Sequence, residues 1–261
     1  MGDKEKVHFV LIHGACHGAW CWYRLVTLLR SSGYKVTALD MAASGVHPKR
    51  LEEINSYSDY AEPLMKFMAD LPPDDKVILV GHSMGGITIS LAMERFPQKI
   101  VVAVFITSFT PGPHLPISTL IQEYNKQLDS VMDAVYGFSN GEDKPPTSLI
   151  FGPKFLSAKL YQLSPHEDLE LASFLMRPIA LFDDPNLSKE IALSNENYGL
   201  VRRVYVVADK DNVLKEDFQR WMIEKNPVDE VKEIHNSDHM VMLSKPRELC
   251  SCLEQISQNY V

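Results

Sequence analysis

The chain has 261 residues, of which 45% are hydrophobic, and its 26 basic and 34 acidic residues give a formal net charge of −8 at pH 7. That length fits one large domain or two small ones and is enough to bury a substantial core. The negative charge argues against a nucleic-acid-binding protein and against electrostatic attachment to anionic membranes. The longest conspicuous apolar run, residues 100–106, is far shorter than the roughly 20 residues of a membrane span.

Two kinds of short segment alternate along much of the chain. Apolar runs predict strands at residues 7–12, 35–39, 77–80, 100–107, 203–207 and 231–234. Amphipathic stretches predict helices at residues 22–30, 59–71, 84–96, 216–225 and 246–260. Repeated strand–helix alternation predicts an α/β fold, with a mostly parallel sheet and helices on both of its faces.

The alternation fails between about residues 110 and 185. Clusters of Pro and Gly occur near residues 111–116 and 145–153, and helical patches lie at 117–128 and 166–175. We predict that residues 111–185 form a cap over the sheet. The cap is inserted into a single core made of residues 1–110 and 186–261.

The N-terminus and the cysteines bear on where the protein works. The polar residues 1–6 contain no apolar signal region, so no secretion signal is expected. Four cysteines without zinc-type CxxC pairs are expected to be reduced thiols. We therefore predict a cytoplasmic protein that binds neither nucleic acid nor membrane; whether it forms a homodimer is left open.

Residues 81–85, Gly-His-Ser-Met-Gly, match the G-x-S-x-G pattern. The match follows the predicted strand 77–80 and opens the predicted helix 84–96, which is the context of a nucleophile elbow. The elbow would expose the Ser83 hydroxyl at the carboxyl end of the sheet, where ligands bind in open α/β folds. Ser83 is thus the predicted nucleophile.

A serine nucleophile needs a base and an acid, which in this fold follow it in the chain order Ser, Asp, His. His239 is the predicted base, since it follows the last strand on a loop, whereas His235 lies closer to that strand. Asp209 and Asp211 compete for the acid after strand 203–207. They are two residues apart, so strand geometry would direct both side chains to the same face of the sheet. Position therefore favours Asp211 only because it lies deeper in the loop.

An oxyanion needs two preorganised N–H donors. Met84, which follows the nucleophile, and Ala15, in the glycine-containing loop 13–18, are predicted to supply them through their backbones. His13 and His17 have the i,i+4 spacing of a zinc site, but the glycines in this loop disfavour a helix and no Glu follows His13. Cys16 is predicted to be a packed thiol. We expect neither a metal nor another cofactor.

Together these residues resemble the plant methylesterase and hydroxynitrile lyase group of α/β-hydrolases, in particular methylesterases of the salicylic-acid-binding type. The resemblance covers nearly the whole chain and is carried by residues 8–20, 36–45, 76–86, 151–153, 218–221 and 238–240. It implies an α/β-hydrolase fold. It also favours Asp211 as the acid, which in such proteins lies seven residues before the Phe of the 218–221 stretch.

Three chemistries occur in the proteins that the chain resembles. Hydroxynitrile lyases carry Thr and Lys where this chain has Gly14 and Met240, and a methionine cannot supply the cation that stabilises departing cyanide. Methylketone synthases are similar over residues 222–227 but have lost the nucleophilic serine and the acid. The presence of Ser83 and Asp211 therefore favours ester hydrolysis.

The resemblance implies a serine carboxylesterase for methyl esters of small apolar or aromatic acids, such as methyl salicylate, methyl jasmonate or methyl indole-acetate. The alternatives are a hydroxynitrile lyase, a methylketone-synthase-like activity, an alkaloid methylesterase, or a sensor that binds the acid and turns over slowly. The substrate pocket is predicted from mainly apolar residues of the cap and of the loops near Ser83: Gly14, Phe109, Leu115, Phe155, Leu160, Leu181, Phe182 and Met240.

Overall fold

The computed structural model describes residues 7–182 and 184–261; the polar residues 1–6 lie outside this part of the chain. Its strands are β1 (His8–Ile12), β2 (Lys35–Leu39), β3 (Val77–Ser83), β4 (Ile100–Ser108), β5 (Val135–Gly137), β6 (Ser148–Ile150), β7 (Ile179–Ala180), β8 (Arg202–Ala208) and β9 (Glu230–Ile234). Six of them form a parallel sheet in the order β2-β1-β3-β4-β8-β9. The predicted α/β fold is confirmed.

The helices alternate with these strands. They are α1 (Tyr23–Ser31), α2 (Tyr57–Asp70), α3 (Gly85–Arg95), α4 (Ile117–Gln127), α5 (Pro153–Phe155), α6 (His166–Leu175), α7 (Asp184–Glu190), α8 (Glu216–Lys225), α9 (Val241–Ser244) and α10 (Pro246–Tyr260). A π-helical turn, Leu156–Leu160, continues α5. Within residues 7–182 and 184–261, no helix combines the length and apolar character that crossing a membrane requires.

Alternate side chains of the strands build two cores, one on each face of the sheet. On β1, Phe9 and Leu11 pack with α1 and α10, whereas Val10 and Ile12 pack with α2 and α3. Every residue of β1 and of β3 is buried. Strands covered on both faces have continuous apolar sequences, which is why these runs were recognisable in the sequence.

Two of the predicted boundaries that differ from the structure show why local contacts extend an element. The predicted strand 77–80 continues to Ser83, because the backbone of the polar motif residues still pairs with β4. The predicted helix 59–71 begins earlier, at Tyr57, because Ser56 caps it by accepting a hydrogen bond from the Asp59 N–H at 3.0 Å. Both differences extend an element beyond its apolar pattern.

The segment predicted as a cap carries its own small sheet. Strands β5, β6 and β7 pair in antiparallel fashion, and the two predicted helical patches are α4 and α6. Strands of two or three residues are too short to show alternation in a sequence. The buried Asp168 of α6 fastens the segment to α1, accepting from the Tyr23 hydroxyl at 2.7 Å and from Arg24 Nε at 3.1 Å.

Candidate active site

Ser83 occupies a sharp turn between β3 and α3. Its φ of 54° lies in the left-handed region, which is strained for a residue with a side chain. The Ser83 carbonyl oxygen accepts hydrogen bonds from the Phe109 N–H at 3.1 Å and from the Ser108 hydroxyl at 2.6 Å, and these bonds hold the turn. The residues 81–85 therefore have the strand–turn–helix geometry of a nucleophile elbow.

Two glycines let α3 start close to the neighbouring strands. A Cβ on Gly85 would lie 2.6 Å from the Ile12 carbonyl oxygen, and one on Gly86 would lie 2.1 Å from the Phe109 carbonyl oxygen. Real Cβ atoms essentially never approach a neighbour this closely. Any larger residue at either position would therefore push α3 away from the sheet beside Ser83.

Asp211 and His239 form a buried hydrogen-bonded pair. His239 Nδ1 lies 2.6 Å from Asp211 Oδ2, and both side chains are almost fully buried. The same Asp211 oxygen accepts a hydrogen bond from the Thr107 hydroxyl, while its other oxygen accepts from the N–H groups of Val213 at 2.6 Å and Leu214 at 2.9 Å. A carboxylate held in this way keeps the proton of neutral His239 on Nδ1, which leaves Nε2 able to accept one.

The two alternatives that the sequence left open lie elsewhere. Asp209 faces His235 Nδ1 at 3.6 Å and Lys210 Nζ at 3.7 Å. His235 itself has a 69% exposed side chain. The structure thus brings Asp211, and not Asp209, to His239.

Ser83 and His239 line one small enclosed cavity. Its volume is about 20 Å³, which is room for about one water molecule. The lining combines the loop after β1, the turn at Ser83, the loops after β8 and β9, and two residues of the predicted cap: Gly14, Ala15, His17, His82, Ser83, Phe151, Leu160, Val213 and His239. Two polar groups suited to acyl transfer therefore share one small cavity.

The two predicted oxyanion donors lie at this cavity and at the start of α3. Ala15 is a lining residue, and Met84 is the residue from which α3 begins. Among the described residues, neither backbone N–H donates to a backbone carbonyl. The Gly14 carbonyl, which belongs to the same peptide as the Ala15 N–H, accepts hydrogen bonds from His13 Nδ1 at 2.8 Å and from the His17 N–H at 3.4 Å. This peptide is therefore fixed in orientation.

Three further buried histidines surround the site in neutral form. Burial lowers the pKa of His13 and that of His82, and it lowers the pKa of His17 to about 3. His13 also accepts from the Met41 N–H at 3.1 Å, and His17 lies 2.8 Å from the Ala15 carbonyl oxygen and 2.6 Å from the Tyr161 hydroxyl. Both nitrogens of the His13 and His17 rings are thus engaged in hydrogen bonds, which leaves neither ring a free nitrogen for a metal ion.

Cys16 has the environment of an inert thiol. Burial raises its pKa to about 12, and its Sγ lies 3.4 Å from the Leu149 carbonyl oxygen. The thiolate is the nucleophilic form of cysteine, so a thiol with this pKa is unreactive at neutral pH.

The residues predicted for the substrate pocket are dispersed. Gly14 and Leu160 line the cavity at Ser83. The other six do not, because side-chain packing directs them elsewhere. Phe109 packs on Tyr124 and Phe218, and Leu115 and Met240 lie in the two cores. Phe155 lines a neighbouring pocket, while Leu181 and Phe182 line a separate cavity beneath residues 139–147.

Several residues of the site escaped the sequence analysis: the lining residues His17 and His82, and Thr107, Val213 and Phe151. The only sequence signal for Thr107 is its position near the carboxyl end of β4. That strand pairs with β8, which precedes Asp211. Val213 lies two residues after Asp211. The direction of its side chain depends on the turn in which the Val213 N–H donates to the Asp211 carboxylate. Phe151 stacks on Phe155 with ring centroids 4.8 Å apart, and only the fold of the segment decides which ring reaches the cavity.

Gly14 lies against the nucleophile, and a methyl group there is expected to destabilise the protein. A Cβ on Gly14 would lie 2.8 Å from Ser83 Cβ. We expect Gly14→Ala to lower the free energy of unfolding by about 1–3 kcal/mol through overpacking. Denaturant unfolding monitored by fluorescence measures the effect.

Gly199→Ala is the matched control for that substitution. A Cβ on Gly199 would have its nearest neighbours at 3.6 Å, which is an ordinary contact. We expect this variant to be at least as stable as the parent protein, since alanine restricts the unfolded chain. Equal stability losses in the two variants would contradict the close contact at Gly14.

Comparison with known proteins places the chain among hydrolases. The model of the alpha/beta hydrolase family matches residues 9–251. Methyl jasmonate esterase 1 of Vitis vinifera is 60% identical over 99% of this chain and 99% of its own length. Salicylic acid-binding protein 2 of Nicotiana tabacum is 48% identical over 98% of this chain and 99% of its own length.

A solved structure shows the same fold. Tomato methylketone synthase I in complex with 2-tridecanone is 51% identical and superposes with a TM-score of 0.95, covering 98% of this chain and 99% of that one. The family match and these full-length similarities show that the chain belongs to the alpha/beta hydrolase family, in the group that contains these plant proteins.

Proposed function

We propose that this protein is a serine carboxylesterase that hydrolyses methyl esters of small apolar or aromatic acids. The observation that carries the proposal is the buried Asp211–His239 hydrogen bond beside Ser83, with His239 and Ser83 lining one enclosed cavity. The full-length similarity to a methyl jasmonate esterase supports the same chemistry.

The proposed reaction is acyl transfer in two halves. Ser83 Oγ attacks the ester carbonyl carbon while His239 Nε2 takes the hydroxyl proton, and the N–H groups of Ala15 and Met84 stabilise the oxyanion. The tetrahedral intermediate collapses as His239 gives its proton to the departing methoxide, which leaves as methanol. A water molecule then attacks the acyl-enzyme with His239 again as the base, and the acid and free Ser83 result.

The cavity suits an uncharged acyl group. Phe151, Leu160 and Val213 supply apolar surface, and as far as the described residues extend, neither Arg nor Lys lines the cavity. A free carboxylate would lack a cationic partner there. These properties favour a neutral ester over an anionic substrate.

The lyase alternative lacks its cation in this structure. Met240 is fully buried in the core on the α1 and α10 side of the sheet. A thioether carries no charge, so this position cannot stabilise cyanide as it departs.

The proposal is tested with a panel of methyl salicylate, methyl jasmonate, methyl indole-acetate and mandelonitrile. We expect many turnovers per protein molecule on at least one methyl ester, with stoichiometric methanol release, and no cyanide from mandelonitrile. Tight binding of a free acid without turnover would instead support a ligand sensor. Efficient cyanide release at mildly acidic pH would support a lyase.

A further inference from the structure

The carboxylate next to the proposed base points away from the catalytic cavity and binds the cap. Asp238 has no exposed surface, and its Oδ2 accepts hydrogen bonds from the Leu163 N–H and from the Ser164 hydroxyl, both at 2.9 Å. Its Oδ1 accepts from the Met240 N–H at 3.1 Å. The side chain therefore joins the loop of His239 to residues 163 and 164.

The loop of the proposed acid is fastened to the same part of the cap. Gln162 Nε2 donates to the Lys210 carbonyl oxygen at 2.6 Å, and Asn212 Nδ2 donates to the Ala158 carbonyl oxygen at 3.1 Å. Lys210 and Asn212 flank Asp211 in the chain. We call residues 158–164 the clasp, since they bind the loops on which both Asp211 and His239 lie.

The clasp also closes the cavity. Leu160, at its centre, is a lining residue. A volume of about 20 Å³ is smaller than any methyl ester, so lining residues must shift when a substrate enters. A shift of Leu160 would act on the hydrogen bonds between the clasp and the two loops.

Burying a carboxylate that makes no catalytic contact costs free energy of folding. A neutral side chain at this position would avoid that cost. Burial raises the pKa of the Asp238 carboxyl, and an unpaired buried charge is strongly destabilising. The clasp, which lies about 75 residues earlier in the sequence, supplies the Leu163 and Ser164 donors, while Met240 and Ser244 lie just after His239. The Asp238 carboxylate thus links the clasp to the loop of the base.

We propose that Asp238 is a positioning residue that sets His239 for proton transfer only when the clasp is closed over the cavity. This inference rests on the proposed esterase function. When the clasp opens, the loop of His239 loses the Leu163 and Ser164 contacts. When the clasp closes over a bound ester, these contacts form again and align the imidazole with Ser83.

The test compares Asp238→Asn and Ser164→Ala with the parent enzyme on a methyl ester that it hydrolyses. Active sites are first titrated with a small fluorophosphonate, so that kcat refers to folded protein. We expect Asp238→Asn to lower kcat about 10- to 100-fold without raising KM, because misplacing a catalytic group slows chemistry rather than binding. Ser164→Ala, which removes one of the two clasp contacts, should lower kcat less. Asp209→Asn, whose side chain contacts the exposed Lys210 and His235 and not the clasp, should leave kcat unchanged.

A second measurement separates failure of this inference from failure of the proposed function. Hydrogen exchange of the clasp amides and the rate at which the fluorophosphonate labels Ser83 need no ester turnover. We expect Asp238→Asn to speed exchange in the clasp and to slow labelling. If the parent enzyme hydrolyses no ester, the proposed function fails while these two rates still test the coupling. Unchanged labelling, or unchanged kcat with a loosened clasp, would overturn the role of Asp238.

Discussion

Replacing Ser83 by alanine is expected to lower kcat for methyl-ester hydrolysis by about 10⁶-fold, the size of loss seen when a triad nucleophile is removed. The substitution deletes only the attacking oxygen, because alanine meets the same backbone demand at φ 54° as serine does. The carbonyl contacts to Phe109 and Ser108 that hold the turn remain.

Ser90→Ala is the matched control for this loss. Ser90 is buried on α3, and its hydroxyl donates to the Gly86 carbonyl oxygen at 2.8 Å. The variant likewise removes a serine hydroxyl oxygen, but from the helix that follows Ser83 and away from the cavity, and its kcat should stay near that of the parent protein. Retention of turnover by Ser83→Ala would exclude Ser83 as the nucleophile and with it the acyl-enzyme mechanism.

Asp211→Asn is expected to lower kcat by about 10⁴-fold, as in other enzymes in which the triad acid becomes an amide. The new amide would present either an N–H group or a weaker acceptor to His239 Nδ1, so the imidazole would no longer be held with its proton on Nδ1. The carboxylate also accepts from Thr107, Val213 and Leu214, and the amide cannot satisfy all of these donors. Steady-state kinetics together with thermal unfolding separate the loss of chemistry from any loss of stability.

Asp209→Asn distinguishes the two carboxylates that the sequence could not. Asp209 contacts His235 and Lys210 near the surface and accepts a hydrogen bond of 3.4 Å from the Ser237 N–H. We expect near-normal turnover for this variant. A large loss confined to Asp209→Asn would show that our mechanism assigns the acid to the wrong residue.

The sheet was largely predictable because its central strands, such as β1 and β3, are buried on both faces and have continuous apolar sequences. The predicted bounds of β2 and α8 are those of the structure, and β1, β4, β8 and β9 differ only at their ends. Ser83 was predictable for a related reason, since its motif lies between a buried strand and a helix. Local sequence determines these features, so no distant contact was needed to recognise them.

The choice of acid and the lining of the cavity depend on distant contacts. Asp209 and Asp211 both follow the end of β8, and the turn at 211–214 together with Thr107 from β4 decides which reaches His239. Phe151 and Phe155 are both apolar residues of the segment predicted as a cap, and only the folding of that segment places Phe151 at the cavity. A short sequence pattern does not encode how an insertion packs over a sheet.

The small volume of the cavity affects the apparent affinity for a substrate. A cavity of about 20 Å³ does not hold an ester, so binding requires a wider state, and the apparent affinity falls in proportion to the fraction of molecules in that state. A substitution that loosens the clasp would therefore raise the apparent affinity for an ester while it lowers kcat. Discrimination among esters then depends partly on how far the clasp must open for each acyl group. An ester of a bulkier acid needs a wider opening, which a smaller fraction of the protein molecules has.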